Sequence, residues 1–172
     1  MPLTSVDLEH LCPHAERSRH EAVIAYVQTD KACTQLFLAY CFAKRARCWL
    51  YAAQREHNEQ MAQEHFNQGT NILWNRLRDP AQGSLDVNIQ AVLLLVAFTS
   101  DFGQSGESDI HADALRTMIS ERGGLASITG NDILQQQLEA VDISRVWHLT
   151  LGCQSACEAR FRFTDGFWSG KA

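Results

Sequence analysis

The chain has 172 residues, of which 45% are hydrophobic and 20% are charged, and its formal net charge is −5 at pH 7. That length predicts a single globular domain over residues 1–172 with a sizeable core, and it is too short for two ordinary domains. The acidic balance argues against direct nucleic-acid binding, because neutralising phosphates requires a basic surface.

Helix breakers are scarce along the chain. Only three prolines occur, Pro2, Pro13 and Pro80, and no stretch of four or more residues alternates as a strand would. The sequence therefore predicts an all-α fold, a single irregular bundle of about six helices. A loose N-terminal segment (about 1–15) and a loose C-terminal tail (about 164–172) are expected at its ends.

The first part of the chain reads as three helices. Residues 21–28 form a short first helix, and Thr29 and Asp30 offer N-cap chemistry for the second. The third helix is expected to end at Asp79-Pro80, because the residue before a proline disfavours the helical region.

Two polar features lie within these helices. Residues 53–68 are mostly polar, which predicts either a junction between two helices or a long solvent-facing stretch. The densest run of basic side chains is interpreted as a solvated helix face and not as a DNA contact surface. It comprises Lys44, Arg45, Arg47 and, further on, Arg55.

Residues 87–102 form the most apolar helix of the pattern. One side follows the helical repeat, and Val92, Leu93 and Val96 make the middle apolar all round. A helix that is apolar on every side is surrounded by other helices. We therefore expect residues 87–102 to be the central helix of the bundle.

A fifth helix, with Ser108 as its expected N-cap, is followed by the glycine pair Gly123 and Gly124. Such a pair can cradle a phosphate or stop a helix. A phosphate-binding loop follows a strand and precedes a helix N-terminus, and this pair does neither. The pair therefore predicts a helix stop, with Gly123 in the left-handed conformation and Leu125 folding back on the helix.

The sixth helix is expected to run from Ile133 to about Ala159, with Asn131 or Asp132 as its N-cap. Helical spacing directs the Asp142 carboxylate inward, and a buried charge must be paired or hydrogen-bonded. The simpler interpretation is a polar tie between the fifth and sixth helices; the other is a general acid or base in a pocket. Candidate partners are Arg145, His111, Arg116 and Arg122.

The six cysteines and the histidines form no metal motif. No Cys-x2-Cys occurs, and Cys153 and Cys157 supply two ligands at best, whereas a structural zinc site needs four. His57 and His65 are eight residues apart, which is not the pairing of a helical metal site. The sequence thus predicts no metal and no cofactor, and the cysteines are interpreted as thiols in a reducing compartment.

The chain shows no membrane or targeting segment. Its longest apolar run, residues 91–98, is far shorter than the roughly 20 residues of a membrane span. The N-terminus has no apolar core of a secretory signal. We expect an intracellular protein, nuclear or cytoplasmic, with no membrane partner.

Three stretches carry a resemblance when they are read in order. "NIQAVLLLVAFTSDFGQ" (88–104) precedes a loop, "HADALRTMISERGGLASI" (111–128) follows it, and "LEAVDISRVWHL" (138–149) places an aspartate in the middle of a helix. Together they resemble the helical regulatory domain that lies C-terminal to the zinc cluster in fungal transcription factors. The likeness covers roughly residues 88–160. It implies an all-α regulatory or interaction module that is intracellular and often nuclear.

The chain departs from that family in two respects. It has no zinc cluster, so the resemblance does not extend to direct DNA binding. Val141 stands before Asp142, where family members often have tryptophan.

Two functional hypotheses follow. The first is a stand-alone regulatory or interaction module that binds a small apolar effector or a partner protein; candidate pocket residues are Trp147, Arg145, His148 and Phe98. The alternative is a small cofactor-free enzyme, of the isomerase, cyclase or dehydratase type, acting on an apolar metabolite. In that case Asp142 and His111 would supply acid–base chemistry.

Overall fold

The computed structural model describes residues 14–48, 51–79, 81–104 and 106–139. Six α-helices and one short 3₁₀ turn, but no strand, occur in these ranges, which confirms the predicted all-α bundle. The helices are α1 (His14–Gln28), α2 (Lys31–Cys48), α3 (Ala52–Leu77), α4 (Asp86–Phe102), α5 (Glu107–Glu121) and α6 (Asp132–Glu139), and the 3₁₀ turn is Leu125–Ser127.

Helix α4 is the centre of the bundle, as its all-round apolar character predicts. Every residue from 88 to 97 is buried. The helix contacts α2, α3, α5 and α6, and α1 reaches the bundle through α2 and α6. None of the described helices is both long enough and apolar enough to span a membrane.

Helices α2 and α3 form the most extensive pair and approach closely at Gly69. A Cβ atom added to Gly69 would lie 2.7 Å from Leu36 Cγ and 3.1 Å from the Leu36 backbone nitrogen. The absence of a side chain at Gly69 therefore lets the two helices pack at this distance.

The start of α2 agrees with its predicted N-cap. The Asp30 carboxylate accepts a hydrogen bond from the Cys33 backbone N–H at 3.0 Å, which satisfies one donor of the first turn. Helix α1 begins at His14, ahead of the segment predicted over residues 21–28 and close to Glu16, where the helical pattern of the sequence starts.

The polar stretch 53–68 contains no junction, because α3 is continuous from Ala52 to Leu77. Most of its side chains face solvent, so the second of the two predicted alternatives applies. Polarity here marks an exposed helix surface rather than a break in the helix.

The glycine pair stops α5 by a Schellman motif. Gly123 and Gly124 have φ angles of 104° and 88°. The N–H of Gly124 donates to the Ile119 carbonyl at 2.8 Å, and the N–H of Gly123 donates to the Ser120 carbonyl at 3.0 Å. Leu125 packs against the core just beyond. The predicted helix stop is confirmed.

The predicted N-cap of α5 is wrong. The helix begins at Glu107, after Gly106 with a φ of 89°, so Ser108 lies inside the first turn. The Glu107 carboxylate instead accepts a hydrogen bond from the Gln104 backbone N–H at 2.9 Å. A left-handed glycine and an acidic first turn therefore replace the expected serine cap.

Candidate functional site

The structure places two of the predicted site residues, His111 on α5 and Phe98 on α4. The remaining site residues lie outside the described ranges; they are Asp142, Arg145, Trp147 and His148. The pairing of Asp142 with His111 and the pocket around Phe98 therefore stay predictions.

His111 is half-buried on α5. Burial lowers its pKa from 6.5, while the Glu107 carboxylate one turn earlier acts in the opposite direction. The imidazole is therefore neutral at pH 7. A neutral imidazole can accept a proton or serve as a packed polar side chain, so both interpretations of His111 are compatible with its surroundings.

The two arginines predicted as partners of Asp142 have carboxylate partners of their own. Arg116 donates to the Asp113 carboxylate at 2.6 Å, one turn away on α5. Arg122 pairs with Asp86 and also donates to the Ser84 carbonyl at 3.1 Å. Both contacts bind α5 residues to carboxylates of the described fold.

A buried charged group that the sequence interpretation missed lies where α2 meets the end of α4. Lys44 Nζ is 2.7 Å from Asp101 Oδ2, and each side chain is only 6% exposed. The Tyr40 hydroxyl donates to the same carboxylate oxygen at 2.6 Å, and Arg47 donates to the Asp101 backbone carbonyl at 2.5 Å. We call these four residues the Lys44–Asp101 cluster.

The expectation that Lys44 is solvated is wrong. The last turns of α2 pack over the C-terminal end of α4, so Lys44 is covered and its ammonium group requires the Asp101 carboxylate as partner. The spacing contained the signal, because Leu36, Tyr40 and Lys44 recur every four residues on one stripe of α2. Arg45 and Arg47 remain exposed, as predicted.

Phe98 belongs to an aromatic stack beside this cluster. Its ring centroid lies 4.6 Å from that of Phe66 on α3 and 5.3 Å from that of Phe102 on α4. The Arg47 guanidinium lies 4.3 Å from the centre of the Phe102 ring, within cation–π distance. In the described fold, Phe98 thus packs helix α3 against α4.

A second polar cluster joins four helices at the opposite end of α4. The Asp86 carboxylate accepts hydrogen bonds from Arg122 and, at 2.7 Å, from the Asn131 amide. The Asn131 amide also donates to the Tyr26 hydroxyl at 2.6 Å. Burial raises the pKa of Tyr26; the Asn131 hydrogen bond lowers it and the Asp86 charge raises it. We call these four residues the Asp86 cluster.

Asn131 has a further role, because its side-chain oxygen accepts the Leu134 backbone N–H at 3.1 Å. This contact is an N-cap, and it selects Asn131 over the alternative, Asp132. One amide side chain therefore begins α6 and joins it to α1 and α4.

In the described part of the chain, the two histidines of α3 show no arrangement for catalysis or metal binding. His65 lies 2.6 Å from the Gln35 amide and stacks on Phe42, and burial lowers its pKa although Glu64 opposes this. His57 is exposed. Within ranges 14–48, 51–79, 81–104 and 106–139, no group of three acidic, histidine or cysteine residues is placed to hold a metal ion.

Two thiols, the buried Cys33 and the half-buried Cys41, are poor nucleophiles. Cys33 Sγ donates to the Val87 carbonyl at 3.3 Å, and burial raises the pKa of this thiol strongly. Burial also raises the pKa of Cys41 to about 12. Because the thiolate is the nucleophile, neither cysteine is activated for covalent chemistry at neutral pH.

No protein-family model matches the chain, and no curated protein or solved structure is significantly similar to it. The likeness to the fungal regulatory domain therefore rests on the three sequence stretches alone.

Proposed function

We propose that the chain is a regulatory or interaction module of the kind that the fungal regulatory domain represents. It would act by binding a small apolar effector or a partner protein, and these 172 residues would not bind DNA by themselves. The proposal goes beyond the observed all-α bundle and rests on the way this bundle uses its buried polar groups.

The observation that supports a module is that buried and half-buried charged groups join helices to one another. The Lys44–Asp101 cluster connects α2 to the end of α4, and the Asp86 cluster connects α1, α4, α5 and α6. A catalytic carboxylate or lysine needs an open side facing its substrate. Asp101 instead directs its carboxylate to Lys44 and Tyr40, which is the arrangement of a scaffold.

His111 supports the second candidate, a cofactor-free enzyme. Its imidazole is half-buried and neutral at pH 7, because burial lowers its pKa, and this is the protonation state that a general base requires. An isomerase, cyclase or dehydratase would combine this base with a general acid, and the sequence offers Asp142 for that role.

Ligand extraction from matched variants separates the two functions. The full chain, His111→Ala and His57→Ala are purified in parallel, and each is subjected to native mass spectrometry and solvent extraction. His57 is the control because it is exposed on α3. A module retains the same bound molecule or partner in all three proteins. An enzyme yields a different molecule with His111→Ala, since unconverted substrate accumulates when the base is removed.

The DNA part of the proposal has its own test. The chain is incubated with a random-sequence duplex library at moderate salt, and bound duplexes are selected over several rounds. We expect no enriched sequence, because the net charge of −5 disfavours phosphate contacts. An enriched site bound specifically below micromolar concentration would overturn the proposal that these 172 residues do not bind DNA by themselves.

A further inference from the structure

Helix α6 covers the core with a contact that is only half hydrogen-bonded. Gln90 on α4 is 0% exposed and Gln137 on α6 is 5% exposed. The Gln90 amide nitrogen donates to the Gln137 side-chain oxygen at 3.0 Å. The second atom of each amide, Gln90 Oε1 and Gln137 Nε2, is buried and finds no hydrogen-bond partner in the described part of the chain.

From this contact we propose that α6 is a releasable cover of the core, which lifts from α4 at Gln137 while its first turn stays bound through Asn131. This opening of α6 would occur whether the chain is a module or an enzyme.

The two ends of the described helix are held differently. At the first turn, Asn131 bonds to Tyr26, to Asp86 and to the Leu134 backbone, so its side-chain oxygen and nitrogen are both used. At the contact between Gln90 and Gln137, the Gln90 oxygen and the Gln137 nitrogen remain unpaired in the described part of the chain. Opening would therefore begin at Gln137 and leave the Asn131 contacts in place.

The balance between closed and open states follows from two opposing terms. Leu134 and Leu138 are 0% exposed, and their burial favours the closed state. Opening lets water pair the free oxygen of Gln90 and the free nitrogen of Gln137, which favours the open state. A contact with this opposition is expected to open locally, without unfolding of the whole bundle.

Opening of α6 has an observable consequence in hydrogen exchange. When Leu134 and Leu138 leave the core, residues 132–139 lose the tertiary packing that supplies most of the stability of a helix in a protein. Once α6 lifts, its backbone amides lose protection and exchange with solvent. The same event uncovers the part of the core that Leu134 and Leu138 occupy, which would expose an apolar surface intermittently.

The test is native-state hydrogen exchange on the full chain and on two methionine variants. Methionine is close to glutamine in shape and removes the amide. In Gln90→Met/Gln137→Met both unpaired atoms disappear, and we expect α6 amides to exchange about tenfold more slowly, which corresponds to ~1.4 kcal/mol. In Gln137→Met alone, the Gln90 amide loses its partner while staying buried, so exchange at α6 should become several-fold faster.

Opposite signs for the two variants distinguish this proposal from a simple gain of apolar surface. If methionine acted only as a better hydrophobe, both variants would slow exchange, and the proposal would be overturned. Ser100→Ala is the matched control, because Ser100 Oγ on α4 is also buried and has no hydrogen-bond partner among the described residues. It lies ten residues beyond Gln90 on that helix and should leave α6 exchange unchanged relative to α5.

If the double variant does not fold, hydrogen exchange of the wild-type chain still tests the proposal. The opening free energy of α6 amides is then compared with that of amides in the middle of α4. A distinctly lower value for α6 supports the releasable cover. Equal values, with both helices opening only on global unfolding, overturn it.

Discussion

At its C-terminal end α4 buries a charged group, Asp101, and surrounds it with a lysine and a tyrosine, whereas near its start it buries an amide, Gln90, and gives it one hydrogen bond. A buried carboxylate without a partner is far more costly than a half-paired amide. The contrast teaches that the contact between α2 and α4 is specified by charge. The contact between α6 and α4 depends mainly on apolar burial and on the Asn131 cap.

The largest effect is expected from breaking the charged contact. Asp101→Ala leaves the Lys44 ammonium buried without its carboxylate, and removing one partner of such a pair costs about 3–5 kcal/mol of stability. Urea denaturation measures the loss. Arg55→Ala is the control, because its pair with Glu59 is exposed by 58% and 62% and should contribute under about 1 kcal/mol. Similar losses for both variants would contradict the special role of the buried pair.

The next effect tests whether packing also fixes the position of α2. Gly69→Ala places a methyl group against Leu36, at 2.7 Å from its Cγ atom, and overpacking of this kind costs about 1–3 kcal/mol. Thermal denaturation measures the change. A gain in stability would mean that α2 and α3 separate easily, and that the Lys44–Asp101 cluster alone determines where α2 lies.

A smaller effect is expected on the other side of the comparison. Asn131→Ala removes the α6 cap together with the bonds to Tyr26 and Asp86, and loss of a cap costs about 0.5–2 kcal/mol. Circular dichroism during denaturation measures it. Asn131→Asp is the informative companion, since it retains the capping oxygen but brings a second carboxylate toward Asp86. We expect Asn131→Asp to be less stable than the wild type, although an aspartate caps a helix as well as an asparagine does.

The smallest expected effect is a dependence on pH. Burial lowers the pKa of His65 and of His111 in the fold, so the unfolded chain binds more protons than the folded chain as the pH falls through about 6.5. Their contribution to stability is therefore present above that pH and is lost as the pH falls. Denaturation midpoints between pH 7.5 and 5.5 test this, with His65→Gln/His111→Gln as the variant in which the slope should decrease. An unchanged slope would contradict it.

Sequence periodicity was sufficient for the helices and for the stop of α5. The all-round apolar segment became the buried helix α4, and Gly123-Gly124 adopted the left-handed angles that only glycine accepts easily. The cap of α2 was narrowed by the sequence to Thr29 and Asp30, and the structure uses Asp30, which also pairs with Arg76.

Charged residues were harder to interpret. Lys44 lies among basic neighbours, so local composition indicated a solvated face, although its spacing from Tyr40 placed it on the buried stripe. Its partner is 57 positions away, and no local pattern identifies a contact of that separation. The same limit applies to Gln90 and Gln137, whose meeting depends on how α6 packs against α4.

The double variant Lys44→Met/Asp101→Leu tests whether the buried charges are structural ties. Both charges are removed together, so no unpaired charge remains, and replacement of a buried pair by apolar residues is often neutral or stabilising. We predict a folded protein, within about 2 kcal/mol of the wild type, that retains the same bound molecule or partner in native mass spectrometry. A double variant that folds with normal stability but loses that molecule or partner would contradict this and would make the Lys44–Asp101 cluster a functional site.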